Sequence, residues 1–105
     1  MPMLSTADVI PKDGEVKTYH PNGKLWIKMR YKDGGLILRQ SFSDDGKLLL
    51  DYRYKAGQPY YMRTSYGDGT IHMLWTKKSG VTKYYYPDGR LQVLMDKNNK
   101  VIASY

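Results

Sequence analysis

"HPNGKLWIKMRYKDGGLILRQSF", residues 20 to 42, holds the reading on which the fold turns. Asn22-Gly23 and Asp33-Gly34 bracket the run Lys24 to Lys32, which is too short for a helix and suited to a strand. Asn-Gly and Asp-Gly favour tight hairpins because both turn residues adopt positive φ. The same punctuation returns at "SDDGK" (43 to 47), "KAGQ" (55 to 58), "GDGT" (67 to 70), "KSGV" (78 to 81), "PDGR" (87 to 90) and "KNNK" (97 to 100). Gly23, Gly46 and Gly69 are 23 residues apart, and so are Gly34, Gly57 and Gly80. Two interleaved series with one period define an internal repeat.

The 105-residue chain therefore divides into units starting at "HPNGKL", "SDDGKL", "YGDGTI" and "YPDGRL", the last one short. The predicted fold is all-β, an antiparallel β-meander built from about four 23-residue two-strand repeats. After each first turn the same positions stay apolar: Leu25, Ile27 and Met29, then Leu48, Leu50 and Tyr52, then Ile71, Met73 and Trp75, then Leu91, Val93 and Met95. That is one face of a sheet read at period two. The alternate positions, among them Trp26, Lys28, Arg30, Asp51, Arg53, His72 and Leu74, form a half-wet second face. The strands after each second turn are less regular, and their register stays open. Domain organisation is expected to be a lead-in over residues 1–13 and one repeat domain over 14–105.

Composition narrows the function classes. Eleven Tyr against one Phe gives an amphipathic aromatic set, suited to a thin sheet whose rings pack on one side and meet water on the other. The net charge of +7 biases the chain toward anionic partners: nucleic acid, anionic lipid, acidic polysaccharide or an acidic protein face. With no Cys there is neither a disulfide framework nor a thiolate metal site, which fits the cytoplasm. The opening "MPMLSTADVIPKDGE" lacks a basic start and an uninterrupted apolar run, so it reads neither as a signal peptide nor as a transmembrane helix.

The pattern "HPNGKL…RYKDGG", "SDDGKL…RYKAGQ", "YGDGTI…WTKKSG" and "YPDGRL…MDKNN" resembles the bacterial MORN-repeat variant found in proteins labelled as toxin-antitoxin system antitoxins. The likeness runs over roughly residues 14 to 105, with the Tyr-Lys pair missing from the third unit. It implies a non-catalytic sheet that binds other proteins, and sometimes lipid, and in the antitoxin case neutralises a cognate toxin by contact. "WTKKSGVTKYYYPDGRL" is also similar to the aromatic repeats of cell-wall-binding and glucan-binding modules, over that one stretch.

Catalytic chemistry finds little footing. His20 lies before a turn, at the position occupied by Ser43, Tyr66 and Tyr86 in the sister units, and His72 is 52 residues away. The turn aspartates Asp44, Asp45, Asp68 and Asp88 have a local role, bonding nearby backbone. No Ser or Thr has a neighbouring His to activate it. The expectation is a non-enzyme without cofactor or metal.

The candidate binding residues are Trp26, Lys28, Arg30, Arg53, Tyr61, Arg63, Tyr84 and Tyr86, basic groups interleaved with rings. Such a face suits an acidic protein surface, and equally single-stranded nucleic acid or anionic lipid. A single-layer meander leaves both faces unburied, so a partner, strong curling or a homodimer must supply the rest of the burial.

Overall fold

The computed structural model describes residues 12–105. Residues 1–11, including the "STADVI" stretch and most of the expected lead-in, lie outside the described residues. The nine strands are β1 (Gly14–Tyr19), β2 (Leu25–Lys32), β3 (Gly35–Phe42), β4 (Leu48–Lys55), β5 (Gln58–Ser65), β6 (Ile71–Thr76), β7 (Thr82–Tyr85), β8 (Leu91–Met95) and β9 (Val101–Ser104). They form one antiparallel sheet in strict chain order, a meander as the repeat predicts. No helix in the described residues is long and apolar enough to cross a membrane.

Three turn geometries connect the strands, and only one matches the expected tight hairpin; the β6–β7 loop is a separate, wider kind in which the Gly80 amide donates to the Thr76 carbonyl at 2.9 Å. Between β2 and β3 both central residues have positive φ, Asp33 at 51° and Gly34 at 78°, and between β4 and β5 so do Ala56 at 50° and Gly57 at 77°. The first turns of the units are wider. The His20 amide donates to the Lys24 carbonyl at 2.8 Å and the Gly23 amide to the His20 carbonyl at 2.9 Å, and the pair recurs at Ser43/Gly46/Lys47, Tyr66/Gly69/Thr70 and Tyr86/Gly89/Arg90. Here the glycine alone takes positive φ, 86° at Gly23 and 90° at Gly46, as in a three-residue loop that closes with a left-handed residue. "KNNK" is built the same way with Asn99, at φ 61°, in the glycine's place. Asp68 and Asp88 accept backbone amides two residues on, the local role expected of them, and Asn22 and Asp96 do the same, whereas Asp45 accepts from the Ser43 hydroxyl.

Single-residue bulges interrupt the period-two pattern at repeating places. Pairing skips Trp26, Leu49, His72 and Gln92 just after each first turn, and Ile37 and Tyr60 just after the second turns. Each skipped residue re-aims its side chain and sharpens the local twist. Between bulges the two faces follow the sequence reading, but Leu25, Leu48, Ile71 and Leu91, on the turn side of a bulge and opposite Tyr19, Phe42, Ser65 and Tyr85, pass to the other face. Ile27, Ser41, Leu50, Thr64, Met73, Tyr84 and Val93 lie directly across from one another on the apolar face. Lys28, Gln40, Asp51, Arg63, Leu74 and Lys83 do so on the other.

Almost nothing is interior. Among the described residues only Tyr31, at 9% exposure, and Asp51, at 5%, are nearly closed to solvent, and no side chain is fully buried. Stability rests on the hydrogen-bond ladder and on cross-strand side-chain pairs instead of a core.

Candidate functional site

The basic face is organised by β2 to β6. Arg30, Leu38, Arg53 and Tyr61 stand opposite one another along one row, and Lys28, Gln40, Asp51 and Arg63 along the next. Ile37 and Tyr60, the two bulge residues beside the second turns, join Lys28, Arg30, Leu38, Gln40 and Arg53 of these rows in lining an open groove of about 860 Å³. Lys28, Arg30, Arg53, Lys55, Lys77 and Lys78 supply its cations, and Ile37, Leu38, Tyr54 and Tyr60 its apolar surface.

Two carboxylates hold part of this charge in place. Glu15 on β1 accepts from Arg30 at 2.6 Å and lies 3.7 Å from the Lys28 ammonium and 3.5 Å from that of Lys17. The Arg30 hydrogen bond, against a smaller desolvation effect, holds the Glu15 carboxyl below its ordinary range. Asp51 accepts from Arg53 at 3.2 Å and from the Gln40 amide at 3.4 Å. The Asp51 hydrogen bond pushes the Arg53 guanidinium further up, and that guanidinium also lies 5.2 Å from the centre of the Tyr61 ring. The six groove cations thus outnumber these two carboxylates by four. Lys55, Lys77 and Lys78 have no carboxylate partner among the described residues.

Of the candidates read from sequence, Lys28, Arg30, Arg53, Tyr61 and Arg63 come together on this face. Tyr84 does not: it is opposite Met73 and Val93 on the apolar face, with its ring 5.8 Å from His72. The cause is a shortened third unit. Gly69 to Gly89 spans 20 residues where Gly46 to Gly69 spans 23, and the loss falls after Gly80. Tyr84 therefore corresponds to Thr64 and not to Tyr61, and a shift of three reverses the face.

Tyr86 and Trp26 also stand apart from the groove. The Tyr86 hydroxyl donates to the Tyr105 carbonyl, and Arg90 lies 5.0 Å from its ring centre. Tyr66 donates to Tyr85 in the same way at 2.7 Å, and His20 Nε2 lies 2.8 Å from the Phe42 carbonyl. His20, Tyr66 and Tyr86, three of the four residues before a first turn, thus tie their turns to chain further on, and Ser43 bonds within its own turn instead. Trp26, as a bulge residue, stacks on His20 at 5.2 Å between ring centres instead of lying with Lys28 and Arg30 on the basic face. His72, also at a bulge, brings Nδ1 within 3.2 Å of the Thr64 hydroxyl, so the expectation that no Thr has a neighbouring His does not hold; with the Tyr66 ring at 4.8 Å, the bulge has turned His72 from the half-wet face to the apolar one.

Sequence reading missed Lys55, Lys77, Lys78, Tyr60 and the aliphatic pair Ile37 and Leu38. A signal for part of this was present: Lys32, Lys55 and Lys78 share the 23-residue spacing, and so do Ile37 and Tyr60.

Residues 12–33 and 78–96 match the MORN repeat variant family. Each matched stretch runs strand, first turn, strand, covering the β1–β2 and β7–β8 hairpins. The family unit is therefore framed around the first turn and not begun at it. No curated protein and no solved structure matches the chain. MORN repeats are in general non-catalytic modules that bind proteins or membrane lipids.

Proposed function

We propose that this chain is a non-catalytic protein-binding module that takes an acidic protein segment into the groove between Arg30 and Lys78. The observation that carries this reading is the excess of four cations around an aliphatic and aromatic floor. Charge complementarity speeds encounter and selects partners, while Tyr54, Tyr60, Ile37 and Leu38 supply the apolar contact that holds a bound chain. In its most concrete form the module is an antitoxin or immunity-like protein that occludes a toxin. Its target then presents an acidic docking face, because a basic nuclease would be repelled by a chain of net charge +7.

A second reading, anionic lipid or nucleic acid in the same groove, is favoured by Lys55, Lys77 and Lys78, whose ammonium groups lack carboxylate partners among the described residues. Affinity capture from a native-host lysate, with the wild-type chain and a Lys55→Glu/Lys77→Glu/Lys78→Glu variant as baits, separates the two. The expected result is one stoichiometric protein whose docking face is acidic, lost with the variant. Recovery of nucleic acid or lipid alone, with binding that falls steeply as salt rises, overturns the protein reading.

A further inference from the structure

The face opposite the groove has no assigned work. On it Ile27, Leu50, Met62, Met73, Trp75 and Val93 lie in two adjoining rows. Arg39 is the one charged side chain that the strands place among them. An antiparallel sheet that meets water on one face normally shows polar residues there. This sheet carries cations on one face and Met, Leu, Ile, Val and Trp on the other, as the inner leaf of a β-sandwich does.

We infer that a second copy of this chain covers the apolar face, giving a two-layer homodimer with the basic grooves turned outward. Area supports that occupant. Nine strands at the usual spacing and about six residues of length give a face of roughly 800 Å². A stable interface removes about 800 Å² from each partner, so a second copy fits the whole face. Charge weighs against the nearest competitor: an anionic bilayer seeks apolar groups rimmed by cations, and the largest group of cations, the six of the groove, lies on the far side of the layer, leaving turn residues such as Lys24, Lys47 and Arg90 at the rim. A two-fold axis parallel to the strands, midway between the two central β5 strands, would set β3 of one copy against β7 of the other. Arg39 of one copy then faces Thr82 of the other, one row from the Tyr84 ring, and the two Arg39 side chains do not meet.

Light scattering on the full chain at about 100 µM tests the inference. The expected mass is twice 12.2 kDa, and Met62→Glu returns it to 12.2 kDa with the far-ultraviolet β signature kept. Because the chain has no cysteine, single thiols give a second readout that does not depend on that variant folding. Thr64→Cys, on the apolar face of β5, is expected to oxidise to a disulfide-linked dimer, and Tyr61→Cys, on the opposite face of that strand, is not. A mass of 12.2 kDa for the wild type, or cross-linking of Tyr61→Cys as fast as Thr64→Cys, overturns the proposal. The groove plays no part in this interface, so the outcome is independent of what the groove binds.

Discussion

The Tyr66 hydroxyl donates to the Tyr85 carbonyl across 2.7 Å, joining the start of one first turn to the residue before the next. In a sheet without a closed core, each such tie fixes the angle between successive hairpins. Tyr66→Phe removes the hydroxyl and keeps the ring, so stability is expected to fall by about 1 kcal/mol. Chemical denaturation of the two proteins measures it, and an unchanged midpoint removes the tie from the account of stability.

Turn chemistry gives a pair of changes with opposite signs. Gly46 has φ 90° and open space around its Cα, so Gly46→Val is destabilising through backbone strain alone, by about 1 to 3 kcal/mol. Ala56 occupies the left-handed region at φ 50°, where Asn is better tolerated than Ala. Ala56→Asn is expected to raise stability by about 0.5 kcal/mol. Thermal melts that move in the same direction for both would contradict the turn assignments.

Asp51 is the most enclosed side chain in the described sheet, at 5% exposure, and it serves Arg53 and Gln40 together. Asp51→Ala takes the acceptor from both, and the expected loss is about 1 to 3 kcal/mol. The same variant frees the Arg53 guanidinium beside the Tyr61 ring, so the groove becomes one charge more positive. Calorimetric unfolding and binding of a short poly-glutamate peptide read the two effects separately: stability falls while peptide affinity rises.

Acid should weaken the β1–β2 pairing in a defined window. The carboxyl of Glu15 is held below its ordinary 4.5 by Arg30, so the unfolded chain binds a proton there more readily than the folded one. The stabilisation is therefore present above pH 4.5 and lost as pH falls through the lower folded-state value. In Glu15→Gln this contribution is absent at every pH. The melting temperatures of the two proteins are expected to converge as pH drops from about 6 to about 3, and a constant gap would assign the effect to something other than Glu15 ionisation.

Much of the architecture was legible because its signals are local. The 23-residue glycine spacing located the turns, and Ile27, Leu50, Met73 and Val93 located one face. The groove was only half legible. Bulges at Ile37 and Tyr60 insert one residue into the alternation, and no residue type announces a bulge that tertiary twist imposes. Counting forward by the repeat set Tyr84 beside Tyr61, because the three missing residues lie inside the third unit, after Gly80. Counting backward from Tyr86 aligns Tyr84 with Thr64 and recovers its true face.

Strict chain order in the sheet has a mechanical consequence. Each strand borders only its sequence neighbours, so no pairing closes a long loop and folding can spread hairpin by hairpin from any starting point. Width is then an adjustable quantity. Inserting or excising one hairpin changes the span by about 10 Å while every remaining rung keeps its register, which makes the molecule a ruler graduated in turns.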